Sequence, residues 1–549
     1  MTNATIHKAD PRAVQRTRHP SLAPARIVAR RAQRGALIWG GVFGLITWVE
    51  ASQFAKEYPT AADRARLVKT MGSNVGFDAI FGPSPRIDTV GGYVATHTVG
   101  VLGIIGAVWA LLAATRLLRG EEDAGRWELL LAGQTTRRRA VAMQVAGLGV
   151  GLLTLWTVTA ASIILVGRSA DAEFSVSASL FAATATVAAA AMFLAVGALC
   201  SQLAASRRQA AAIAATILGA AYLLRVIAYS STTLRWLHWV SPLGWVDELR
   251  PLTGSRPLLL APIALTVAAL VAATVILGGR RDLGAGVLPA RDVRASHTRL
   301  LTGPIWLAHR LGRSTMYGWI AGLAVGGLLI GVIAKGTAEV WANQSGGIFV
   351  NLAGTTGAKV YLGMMFLLVA FLVTMAAAGQ VGATREDEAE GYLDNLLARP
   401  VARLPWLAGR FMVSAAHLAA LAVTAGLFTW VGAAITGAGL SFTTLITAGL
   451  NVVPAGIFVL GIGTLAHGVA PRLAGPVAYG IVVWSFLVEI IGAGIGASHW
   501  LLDLSVLHHI SRAPATEVRR DSAAILLTQG LVAAAAGAVA FNHRDLKGA

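Results

Sequence analysis

EEDAGRWELLLAGQTTRRR, residues 121–139, lies between two long apolar segments and has an echo, DEAEGYLDNLLARPVAR, at residues 387–403. Gly125 answers to Gly391, 266 residues further on, and Glu122/Glu388, Glu128/Asp394, Leu130/Leu396, Leu131/Leu397, Ala132/Ala398 and Arg137/Arg403 keep the same interval. Read as a helix, Glu121, Gly125 and Glu128 share one face, with Trp127, Leu130 and Leu131 opposite. Asp387, Gly391 and Asp394 stand in the same relation to Leu393, Leu396 and Leu397. Acids come first and arginines last, which suits the helix dipole. The expected element is a short amphipathic helix, acidic on one side and greasy on the other, written twice.

The duplication extends outward. LCSQLAASRRQA (from Leu199) resembles LAHGVAPRLAG (from Leu465), and WLHWVSPLGW (from Trp236) resembles WLLDLSVLHH (from Trp500). Upstream, PARIVARR (from Pro24) faces PIWLAHRL (from Pro304). Of 549 residues, 55% are hydrophobic and 13% charged, against about 25% charged in a soluble domain. Apolar runs recur along the whole length, each able to cross roughly 30 Å of hydrocarbon. The fold class is therefore an all-α polytopic membrane protein. Twelve spans are expected, near 35–54, 91–116, 140–166, 174–200, 209–229, 257–278, 317–334, 358–383, 407–436, 443–466, 473–497 and 522–541. They form two tandem six-helix halves, parallel repeats with a substrate path between them. The expected organisation is a tail and elbow helix at 1–34, a first half at 35–280, a linker and second elbow at 281–316, and a second half at 317–549.

Net charge is +18, which in a soluble protein points to nucleic acid. Here the arginines of the first 34 residues and those of 280–313 flank spans, the mark of a cytoplasmic face beside anionic headgroups. Both termini are therefore expected in the cytoplasm, and the first span is expected to be an uncleaved anchor. Cys200 is the single cysteine, which excludes an intrachain disulfide and a cysteine metal cluster. No catalytic constellation stands out.

An interfacial helix is one reading of the doubled loop. An acidic face is repelled by an anionic lipid surface where a lysine would gain about 1 kcal/mol, so a protein partner with basic or polar groups fits better. The pattern E-x-x-G-x-x-[ED]-x-L-L-A-x-x-x-x-R after the second span of a six-helix unit resembles the coupling loop of ABC-2 type (type V exporter-like) permeases. Over nearly its whole length the chain is similar to the fused twelve-helix permeases of the tetronasin or antibiotic-efflux type of actinobacteria. The resemblance implies that loops 119–139 and 385–403 dock ATP-binding subunits through Glu121, Glu122, Gly125, Trp127, Glu128, Leu130, Arg137, Asp387, Glu388, Gly391, Asp394, Leu396, Pro400 and Arg403. Pro400 matches the family pattern, whereas the first copy has Gln134 there. The resemblance also implies amphipathic elbows ahead of each half and short outer helices before each half's last span, where Trp236, Trp239, Trp245 and Trp500 equally suit an aromatic belt.

None of the six lysines follows a glycine, so the chain lacks a P-loop. ATP and magnesium are expected on a separate cassette subunit, two copies for two loops, and no cofactor on this chain. Ionisable groups inside spans cost about 2.5–3.5 kcal/mol each. Arg225 in the fifth span and Glu489 in the eleventh occupy nearly equivalent positions. They could pair as a gate, pair as a static clamp, or reach the interface separately. His97 is a further path candidate, although His97 and His417 also read as hydrogen-bonded packing residues. The expected function is ATP-driven export of hydrophobic or amphipathic compounds such as antibiotics, from a bacterial plasma membrane. An ion-coupled drug transporter is the alternative, but the spans hold few proton-relay carboxylates.

Overall fold

The computed structural model describes residues 23–71, 78, 82–83, 85–131, 135–169, 174–230, 233–282, 284–288, 303–342, 357–398, 401–495 and 499–545. Among the described residues there are helices and turns but no strands. Twelve helices are long and apolar enough to cross a membrane: Ala25–Glu57, Val90–Asp123, Arg137–Gly167, Val176–Leu203, Arg207–Tyr229, Pro257–Arg280, Pro304–Lys335, Gly357–Ala389, Arg403–Thr436, Phe442–Val469, Pro471–Glu489 and Arg520–His543. Each overlaps one expected span, and the chain is an all-α polytopic membrane protein. It divides into two compact units, Met1–Arg294 and Ala295–Ala549, the division falling inside the stretch read as the linker.

Within each half the second and fourth spans are the most buried. Composition explains this: the stretch AATATVAAAAMFLAVGALC, residues 182–200, carries side chains small enough for neighbours to close on all sides. In the first half the first span lies along the third. A β-carbon at Gly147 would stand 2.6 Å from the Ala25 carbonyl oxygen, and one at Gly151 would stand 2.5 Å from Ala32 Cβ. The four-residue glycine spacing thus sets the approach of the two backbones.

Three features differ from the sequence expectation. The elbows are not separate helices: Ala23–Glu57 is one helix, and so is Pro304–Ala342. Pro24 and Pro304 stand in the first turn, where a missing N–H costs nothing, and no later proline interrupts either run into its span. The tenth span is broken into Phe442–Leu450 and Val453–Val469, with Pro454 in the first turn of the second piece. At the break, the buried Asn451 donates from Nδ2 to the Ser511 carbonyl at 2.8 Å. The second span contains a π-helical turn, Ala95–Val99.

Candidate functional site

The doubled loop has one backbone design in both halves. The second span runs on to Asp123, and its counterpart, the eighth, to Ala389. Each then breaks at glycine, Gly125 with φ 70° and Gly391 with φ 74°, a left-handed conformation that side chains with a β-carbon resist. The Gly125 amide donates to the Glu122 carbonyl at 2.9 Å and that of Gly391 to Glu388 at 3.1 Å. A short helix follows, Arg126–Leu131 or Tyr392–Leu397, and the next span opens at Arg137 or Arg403. The single continuous amphipathic helix expected from the sequence is therefore two helices joined at a glycine turn. Glu121 and Glu128 do not share a helical face, because the turn between them resets the direction of the chain.

The acidic residues separate into two roles. Glu122 and Glu388 are buried, each held by an arginine from the end of its half's last span. Arg281 grips Glu122 with both terminal nitrogens, Nη1 to Oε1 at 2.7 Å and Nη2 to Oε2. Arg544 grips Glu388 likewise, at 2.7 and 2.6 Å. A third arm comes from the start of the following span: Arg137 Nη1 donates to the Arg281 carbonyl at 2.9 Å, and Arg403 Nη1 to the Arg544 carbonyl at 2.8 Å. In both halves the ends of three spans are thus tied at one buried carboxylate. Bidentate, charge-assisted geometry is the strong form of such contacts. These residues shape the loop from within. Arg281 and Arg544 were not singled out in the sequence, although an Arg-Asp pair closes the last span of each half (Arg281-Asp282 and Arg544-Asp545).

The tip of each loop faces outward on one side. Glu128 and Asp394 are exposed, as is Gly125. On the other side Trp127 joins the core of the first half, and Leu393 packs with Trp406, Leu407 and Phe541, with Leu396 against them. Glu121 is shared by Arg31 at 2.6 Å and by Arg126 at 2.6 and 2.9 Å, and its hydrogen bond holds the Arg126 guanidinium above its usual range. Asp387 pairs with Arg410 at 2.5 Å. Leu130 is helical but its side chain, like the whole of Pro400, lies outside the described residues.

Arg225 and Glu489 each have partners within their own half. Arg225 is buried against Asp247, with Nε to Oδ2 at 2.6 Å and the rings of Tyr222 and Tyr229 near its guanidinium. Glu489 faces His508 Nδ1 at 3.1 Å and Arg512 Nη2 at 3.7 Å. The register is set by two serines: Ser241 donates to the Ala221 carbonyl at 2.7 Å, and Ser505 to that of Ser485 at 3.1 Å. Both serines, both acceptors, and Arg225 and Glu489 are 264 residues apart, so Arg225 and Glu489 are counterparts. In both halves the fifth helix is tied by charge to the segment before the last span, with the sign of the pair reversed. His97 lies in the π-helical turn, its Nδ1 3.0 Å from the Tyr93 carbonyl and its ring 4.1 Å from that of Tyr93.

A twelve-helix chain whose two halves carry the same buried clamp and the same exposed loop tip has the build of a duplicated membrane permease. The sequence model of the family described as "Multidrug efflux system permease Rv1217c, C-terminal domain" matches residues 24–278 and 301–542, and the chain belongs to that family. Over 535 residues it is 26% identical to the multidrug efflux system permease protein Rv1217c of Mycobacterium tuberculosis, a match spanning 96% of this chain and 95% of that protein.

Proposed function

We propose that this chain is the membrane-spanning subunit of an ABC-2 type exporter that moves hydrophobic or amphipathic compounds, antibiotics among them, out of a bacterial cell. It sits in the plasma membrane with both termini in the cytoplasm. Energy comes from separate ATP-binding cassette subunits, two copies, which hold the ATP and magnesium. They dock on loops 119–139 and 385–403 through the exposed Glu128 and Asp394.

The carrying observation is the paired construction of the loop. Each outward acidic tip is mounted on a turn whose inner glutamate is clamped to the last span, through Arg281 in one half and Arg544 in the other. A push at such a tip reaches three span ends without first deforming a soft linker. The multidrug efflux name of the relative supports the class of cargo.

Copurification tests the reading. The wild-type permease is expected to bring down a cassette ATPase and to stimulate its hydrolysis. Glu128→Lys combined with Asp394→Lys is expected to release it. A double variant that retains both the partner and its stimulated hydrolysis would refute the docking assignment.

A further inference from the structure

We propose that the second half binds a small inorganic anion of halide size between Arg410, His467 and Ser414, behind the doubled loop. These residues line a cavity with room for a single water-sized occupant, together with Thr384 and Thr464. Arg410, His467, Ser414 and Thr464 are all buried.

Comparison of the two halves reveals a surplus of positive charge at this place. In the first half Arg119 is satisfied throughout: Nε pairs with Asp123 at 3.0 Å, and the terminal nitrogens reach Glu122, Ala205 O, Gly284 O and Ala285 O. Its counterpart in the second half is Arg385, but the counterpart of Asp123 is Ala389. Further along, the buried Gln144 of the first half is replaced by Arg410. The second half has therefore lost a carboxylate and gained a guanidinium.

The remaining groups do not restore the balance. Arg385, Arg410 and Arg544 all act electrostatically on His467 together with Glu388, and Asp387 is held by Arg410. Three guanidinium groups thus face two carboxylates, while Glu386 and Glu390 are exposed. Arg385 Nη1, Arg544 Nε and both ring nitrogens of His467 are buried without a hydrogen-bond acceptor among the described residues; in the first half the corresponding Arg281 Nε donates to Gln202 at 2.9 Å. A water could accept from some of these donors but would leave the charge uncompensated, and a buried unpaired charge is strongly unfavourable. An anion that fits the space of one water answers both deficits. The inference concerns the permease alone and does not depend on how transport is energised.

The purified full-length permease in lipid nanodiscs provides the test. Chloride replaces gluconate, an anion too large for the cavity, at constant ionic strength and pH, and the midpoint of thermal unfolding is followed. A ligand that binds the folded state raises that midpoint in a concentration-dependent way. The expected wild-type result is a saturable rise with chloride, reproduced by bromide. Arg410→Gln, which installs the first-half residue, is expected to abolish the rise. Ala389→Asp, which keeps Arg410 and the cavity but gives Arg385 the carboxylate that Asp123 supplies to Arg119, is expected to abolish it as well. This second variant carries the test if the first does not fold. Equal wild-type midpoints in chloride and gluconate, or an undiminished chloride effect in Ala389→Asp, would overturn the proposal.

Discussion

Replacing Glu122 by glutamine tests whether the buried carboxylate holds the three span ends together. The change preserves size but removes the charge on which the paired bonds from Arg281, the Gly284 amide at 2.9 Å and the Arg119 contact at 3.3 Å converge. Breaking one side of a buried ion pair costs about 3–5 kcal/mol, because the partner charge is left stranded. Arg119 keeps Asp123 and three carbonyls, so the stranded charge is mainly that of Arg281. Glu122→Gln and Arg281→Met are therefore each expected to destabilise by about 3 kcal/mol, the lower end of that range. The double variant should cost well under the sum, with a coupling of about 2 kcal/mol, inside the span measured for residues in one network. Unfolding of the purified permease by graded denaturant, read by tryptophan fluorescence, gives all four corners of the cycle. Additivity to within about 0.5 kcal/mol, the behaviour of independent sites, would show that Glu122 and Arg281 do not act as a unit, and the clamp would have to be abandoned.

Further outcomes follow from the same geometry. Gly391→Ala is expected to cost about 1 kcal/mol through its left-handed backbone, with Gly391→Asn milder because asparagine tolerates that region; equal unfolding midpoints for alanine and wild type would contradict the glycine turn. Glu128→Lys with Asp394→Lys, both at exposed positions, should leave the unfolding midpoint within about 0.5 kcal/mol of wild type, so that loss of the ATPase partner cannot be ascribed to misfolding. Arg225→Ala should destabilise by about 3–5 kcal/mol by stranding Asp247, and the exchange Arg225→Asp with Asp247→Arg should recover part of it, since the second half works with the opposite polarity. Asn451→Leu should cost about 1–3 kcal/mol through the orphaned Ser511 carbonyl, a value near zero indicating that the break in the tenth span is held by Pro454 alone.

What the sequence makes legible here depends on the range of the force involved. Spans are visible because hydrophobicity is summed over many neighbouring residues, and all twelve expected positions overlap a helix. The doubling is visible because two distant stretches are compared letter by letter. The conformation of Gly125 is not visible in that way. A glycine in helical spacing reads as a helix residue, and what decides otherwise is the turn that brings the end of the second span to the last span of the same half. The same limit hides the division among the acids. Glu121 and Glu122 are neighbours in the chain, yet one lies between surface arginines and the other is buried against Arg281, 159 residues away. Hydropathy assigns both the same character. The repeat itself contains the missing information, because a residue pair that must stay together is duplicated together. Glu122 with Arg281-Asp282 and Glu388 with Arg544-Asp545 recur as a set, whereas Asp123 and Ala389 do not match. Arg225 and Glu489 show the converse. Their opposite signs at matching positions suggest a pair, but a reversed sign at equivalent places is also what results when each half keeps its own tie and exchanges which side carries the acid. Asp247 near the first and His508 and Arg512 near the second show that this is how each charge is accommodated within its half. In a duplicated membrane protein, then, a matched position argues first for the same local task performed twice, and a direct contact between the two copies requires evidence beyond the match.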